Sequence, residues 1–115
     1  MPFTSNVTMQ SPGYPAYYHN NIRCEWAVRP SVMRRVLVQF LFFKLELGYD
    51  ILYVGTIHNA RILAYSGYLG YETSDAPIIS PINESLIFEF TTDIFGTDQG
   101  FSLLLTDVED GGKKQ

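Results

Sequence analysis

Val36-Leu37-Val38-Gln39-Phe40-Leu41-Phe42-Phe43 reads as a β-strand. Its side chains follow a period of two: Val36, Val38, Phe40 and Phe42 make one wholly apolar face, and Gln39 interrupts the other. It is the longest apolar stretch of the chain and is strand-length, so no membrane insertion is expected. The same period recurs outward in both directions. Cys24, Trp26 and Val28 alternate with Glu25, Ala27 and Arg29. Leu86, Phe88 and Phe90 alternate with Ile87, Glu89 and Thr91, and Phe101, Leu103 and Leu105 alternate with Ser102, Leu104 and Thr106. Each reads as a strand with one face in a core. Asp50 to Gly55 is a further strand, apolar on both sides, and Arg61 to Tyr65 is a short strand or a single helical turn.

Turn signals separate these segments. Ser11-Pro12-Gly13-Tyr14-Pro15 cannot lie inside a helix, because its prolines fix φ and remove donors. Short strands between turn clusters predict an all-β sandwich or barrel of antiparallel strands. The 115 residues fit one domain, and 46% hydrophobic against 17% charged residues marks a packed chain. The expected domain spans residues 1–108. Residues 109–115, polar and Gly-rich, are expected to form a flexible tail.

The net charge is −4, and the only basic pairs are Arg34-Arg35 and Lys113-Lys114. A nucleic-acid binder would show a basic stripe, so nucleic acid is not an expected partner. Cys24 is the single cysteine, which by itself argues for a reducing compartment. Two glycosylation sequons, at Asn6-Val7-Thr8 and Asn83-Glu84-Ser85, argue for secretion instead. Met1-Pro2-Phe3-Thr4 shows no basic region leading into an apolar core. His19 and His58 lack zinc spacing, and neither a Gly-x-Ser-x-Gly nor a Gly-rich phosphate loop occurs. Glu46 and Asp50 sit on one small loop without an evident cleft, so no enzyme is expected.

The order of the rarer residues is more specific. Ser11-Pro12-Gly13-Tyr14-Pro15 is followed by Tyr18, Asn20-Asn21 and Cys24-Glu25-Trp26. Tyr49-Asp50-Ile51-Leu52-Tyr53-Val54, Tyr65-Ser66-Gly67, Leu86 to Asp93 and Gly100-Phe101-Ser102-Leu103 come next. In this order, over residues 7 to 106, the chain resembles a CUB domain. The resemblance implies a jelly-roll-like β-sandwich of two antiparallel sheets. It also implies an extracellular, non-enzymatic recognition module of a larger protein.

The departures from the family pattern are coherent. The family usually carries two disulfides, and Cys24 stands at its second cysteine, with the first expected about where this chain begins. The third and fourth positions are both without cysteine: Leu47-Gly48 lies in a shortened loop, and Ser66 stands where Cys precedes Gly. Alternation with Trp26 points Cys24 inward, so a buried, inert thiol is expected. Tyr14 is expected to plug one end of the core behind Pro15, and Tyr17 is left between surface and core.

Glu46 and Asp50 flank the hairpin between two strands, and Asp93 reaches the same end if residues 85–92 run in the sense of 36–43. Three carboxylates so placed repel unless a cation joins them, and Ca²⁺ suits an all-oxygen site. The alternative is three solvated loop acids with no ion. Calcium-binding CUB domains place a Tyr, a Glu and two Asp here, which the resemblance carries onto Tyr18, Glu46, Asp50 and Asp93. Tyr18 would support a ligand carboxylate, and the acid cluster would dock a Lys or Arg of a protein partner. Ile94-Phe95-Gly96 replaces the polar stretch usual after the second Asp, and Asp98 reads as a turn residue. Two other classes remain open: a carbohydrate-binding module using Tyr17, Tyr18, Asn20 and Asn21, and a structural spacer.

Overall fold

The computed structural model describes residues 6–59, 61–69 and 78–109. Among these residues nine strands follow in chain order: β1 (Val7–Gln10), β2 (Arg23–Val28), β3 (Arg34–Lys44), β4 (Ile51–Thr56), β5 (Leu63–Tyr65), β6 (Tyr68–Leu69), β7 (Ile78–Ile79), β8 (Leu86–Thr91) and β9 (Gly100–Glu109). Among the described residues there is no helix. One sheet runs β1-β9-β3-β6, with β7 also on β3; the other runs β2-β8-β4-β5. Every pairing is antiparallel, but only β4 and β5 are consecutive in the chain, so the other neighbours are joined by connections that pass through the opposite sheet or over intervening strands. The expected fold class, an all-β sandwich of two antiparallel sheets, is the observed one. Glu109 is the last residue of β9, and the rest of the expected tail lies outside the described residues.

The core lies between the sheets. Val36, Val38, Leu52, Val54, Phe88, Phe90, Phe101, Leu103 and Leu105 are almost wholly shielded from solvent. Phe101 ties the sheets together, with Phe90 edge-on at 5.1 Å, Trp26 edge-on at 6.1 Å and Phe43 stacked at 6.2 Å between ring centroids.

Three sequence expectations are corrected by packing. The apolar face of β3 does not run unbroken from Val36 to Phe42. A register shift between Phe40 and Phe42 inserts an extra residue, so beyond it Phe43 and Leu45 turn inward while Phe42 packs on Tyr14. Cys24 and Trp26 share the inner face as expected, but both are only half-buried. β2 is an edge strand, so its inner face is covered from one side alone. Finally, Tyr18 rather than the half-buried Tyr14 fills the end of the core, and Tyr17 faces solvent. Arg61 to Tyr65 resolves into a turn and strand β5.

On the outer face of the second sheet, Glu25 and Glu89 stand directly opposite each other. Arg61 offsets that repulsion with a two-pronged ion pair to Glu89, at 2.9 and 3.0 Å, while stacking 4.2 Å over Tyr53. Arg23 adds a contact at 2.9 Å. The Arg61 pairing, ahead of Arg23, holds the Glu89 carboxyl below its ordinary range.

Candidate metal centre

One end of the sandwich gathers the close of β3, the start of β4, the close of β8 and the start of β9. Ile51 pairs with Thr91, and Lys44 with Gly100, so the segments before β4 and after β8 must meet there. The turn after β3 is tight, because the amides of Tyr49 and Asp50 both donate to the Glu46 carbonyl, at 3.3 and 3.1 Å. Glu46 and Asp50 thereby leave the turn side by side. Asp93 is anchored from the other sheet edge: the Asn21 amide donates to its carbonyl at 2.9 Å, and Thr92 exchanges bonds with Ile22.

Glu46, Asp50 and Asp93 each bring a carboxylate oxygen within 4.8 Å of the others. The three differ in commitment. Asp50 is fully buried and accepts two hydrogen bonds, from the Tyr18 hydroxyl at 2.6 Å and from the Asp93 amide at 3.1 Å. Glu46 Oε1 and Asp93 Oδ1 are buried and receive no hydrogen bond. Unpartnered carboxylate oxygens out of water are costly, and an oxygen-preferring cation satisfies them. The residues therefore fit a hard divalent ion such as Ca²⁺.

The electrostatics agree with the geometry. Burial, then the charges of Asp93 and Asp50, push the Glu46 carboxyl above its ordinary range. Burial also raises Asp50, against the lowering effect of the Tyr18 hydrogen bond. Tyr18 itself is held far above the usual phenol range by burial and by donation to Asp50. Its ring sits edge-on to Phe90 at 5.1 Å, so the hydroxyl is positioned by the core. The same oxygen accepts the Glu46 amide at 3.1 Å, linking both ends of the acidic turn.

Two further residues shape the site. Gly96, at φ +100°, leaves room for the Glu46 carboxylate: an added Cβ would stand 1.9 Å from Glu46 Oε2. Ser66 accepts the Gly48 amide at 2.7 Å and shares its hydroxyl hydrogen between the carbonyls of Asp50 (3.0 Å) and Glu46 (3.3 Å). Ser66 is visible in the sequence as a departure at a cysteine position, but its partners are not. Gly96 carried only the weak signal of a glycine in a turn. Asp98 lies at this end without joining the cluster, its carboxylate accepting its neighbour's amide (Gln99) at 2.8 Å in a turn-like contact.

Residues 2–104 match the family model described as "CUB domain". The chain belongs to the CUB domain family. Cubilin from Canis lupus familiaris is 37% identical over 76 residues, covering 61% of this chain and 2% of cubilin. The CUB domain described here thus corresponds to a small fraction of that relative's length. Among solved structures, the full extracellular region of zebrafish Gpr126/Adgrg6 matches with a TM-score of 0.77 at 24% identity, over 95% of this chain and 14% of that one. The MASP-1 CUB2 domain, solved bound to Ca²⁺, matches with a TM-score of 0.69 at 25% identity, over 91% of this chain and 96% of that one. The Gpr126/Adgrg6 structure that this CUB domain resembles is that of an extracellular region.

Proposed function

We propose that this CUB domain is an extracellular, non-enzymatic recognition module. Its Glu46, Asp50 and Asp93 hold Ca²⁺, and its acidic end docks a Lys or Arg side chain of a protein partner. The observation that carries the reading is the pair of buried, unpartnered oxygens, Glu46 Oε1 and Asp93 Oδ1, within a triad spanning no more than 4.8 Å. The Ca²⁺-bound MASP-1 CUB2 domain supports the choice of cation. Tyr18 is the positioning residue, since its hydroxyl touches Asp50 and the Glu46 backbone together. When bound, calcium supplies positive charge that offsets the mutual repulsion of the carboxylates. The chain's own residues then fix where the remaining negative charge faces solvent.

The carbohydrate reading is weaker in this geometry. A sugar platform needs open aromatic faces, and of its two tyrosines only Tyr17 is exposed while Tyr18 is buried. Asn6 and Asn83, both exposed, are the proposed glycan acceptors. Asn83 sits at φ +63°, accepts the Met33 amide through Oδ1 and donates its Nδ2 only to the exposed Met33 sulfur at 3.3 Å, a weak acceptor that a glycan on that nitrogen would displace. Intact mass before and after deglycosylation, from a secreting eukaryotic host, tests both sites.

The decisive experiment for the main reading is thermal unfolding in millimolar calcium and in chelator. A higher melting temperature in calcium is expected, because the ion binds only the assembled end. Identical melting in the two conditions would leave a metal-free binding or spacer domain.

A further inference from the structure

An open groove of about 580 Å³ lies beside the acidic triad. Leu47 and Tyr68 give it apolar surface above the buried Leu45 and Gly67, and Glu46 and Asp98 give it carboxylates. The groove is held in shape. The Tyr68 hydroxyl donates to Asp98 Oδ2 at 3.3 Å, and Lys44 Nζ stands 4.9 Å over the same ring. Leu47 lies so close to Gly67 that an added Cβ would be 2.8 Å from Leu47 Cδ1. The Leu45 amide donates to the Gly67 carbonyl at 2.8 Å, joining the two walls through the backbone.

Large apolar side chains are unusually exposed at this end. Leu47 is 73% exposed, Tyr68 66%, and Ile94 and Phe95, which follow Asp93, 72% and 71%. Such residues gathered around a charged site mark a binding surface. Charge selects the occupant. The carboxylates of Glu46, Asp50, Asp93 and Asp98 outnumber the charges of one calcium ion and Lys44, so the surface stays negative and opposes an anionic lipid. A lone ammonium would leave the apolar lining unused.

We propose that the groove is a second subsite that reads the residue beside the docked base, so that the partner presents Lys or Arg next to a large apolar side chain. This inference rests on the calcium-supported docking read above and adds a sequence preference to it.

The test is an NMR titration of the ¹⁵N-labelled chain with two capped peptides, Gly-Phe-Lys-Phe-Gly and Gly-Ser-Lys-Ser-Gly, in calcium and in chelator. The Phe peptide is expected to bind about tenfold more tightly, with shifts at the Leu47, Tyr68 and Asp98 amides. Tyr68→Ala, on an exposed side chain, should remove that preference while leaving the Ser peptide and calcium binding unchanged. Equal affinity for the two peptides in calcium overturns the groove and leaves basic docking standing. A preference that persists in chelator keeps the groove and overturns its dependence on calcium. Calcium binding with no affinity for either peptide overturns docking and groove together. Pelleting with phosphatidylserine vesicles in calcium, without a peptide preference, assigns the surface to lipid and overturns the inference.

Discussion

Tyr18 donates its hydroxyl hydrogen to Asp50 at 2.6 Å from within the core. The bond joins the segment before β2 to the turn before β4, so the acidic end is an extension of the packed interior. Asp50 is shielded from solvent as completely as Phe90 beneath it.

Tyr18→Phe keeps the ring packing and removes the hydroxyl. Asp50 and the Glu46 amide each lose a partner, and stability in chelator should fall by about 1.5–3 kcal/mol. Calcium affinity should weaken about tenfold, as expected when a support of a ligand carboxylate is removed. Denaturant titration and calorimetric calcium binding read the two effects separately. No change in either would mean that the hydroxyl does not orient the site.

Glu46→Gln separates metal binding from structure better than a change at Asp50, which is already committed to two hydrogen bonds. Calcium at about 100 times its dissociation constant should add about 2.7 kcal/mol to the wild type. In Glu46→Gln that gain should largely vanish, while stability in chelator holds or rises because one repelling charge is gone. Equal loss in both conditions would instead identify Glu46 as a purely structural residue.

Acid should act in two directions. Glu46 and Asp50 have carboxyls raised by burial, so in chelator the folded chain takes up protons before the unfolded chain does. Stability then rises as pH falls through their raised values toward about pH 4, the ordinary carboxylate value. Glu89 is lowered by Arg61, and the stability it contributes is complete above the ordinary carboxylate value and lost as pH falls through its depressed one. Melting in chelator should therefore show a maximum on the acid side, with the rising limb reduced in Glu46→Gln. In calcium the rise should be blunted, because protons compete with the ion. A flat profile down to pH 5 in chelator would contradict the raised carboxyls.

Ser66→Ala tests the clamp that stands at the family's cysteine position. It removes an acceptor from the Gly48 amide and a donor from the carbonyls of Glu46 and Asp50. A loss of about 1–3 kcal/mol is expected, with faster hydrogen exchange at the Gly48 amide. Unchanged exchange would show that the tight turn of residues 46–50 holds itself without the hydroxyl.

Much of the fold was legible because strand periodicity is local. Trp26, Phe88 and Leu103 each reveal their facing through neighbours two residues away, and all three point inward as read. The bulge near Leu41 was not legible. The alternation continues through it in apolar residues on both faces, so hydrophobicity alone cannot locate the phase change. The half-exposure of Cys24 was hidden for a related reason: strand order, not strand pattern, makes β2 an edge.

The chain's own residues determined the all-β class, the candidate acids Glu46, Asp50 and Asp93, and the lack of cysteine at Leu47-Gly48 and Ser66, since each is a matter of residue type, spacing and order. Tertiary structure alone decided that those acids converge within 4.8 Å, that Tyr18 rather than Tyr14 seals the core, and that Ser66 ties down the shortened turn. These relations join distant residues, Ser66 and Asp50 at 16 positions apart and Asp93 and Asp50 at 43. Such contacts are set by which strands pair and in what register, and no local pattern encodes that choice.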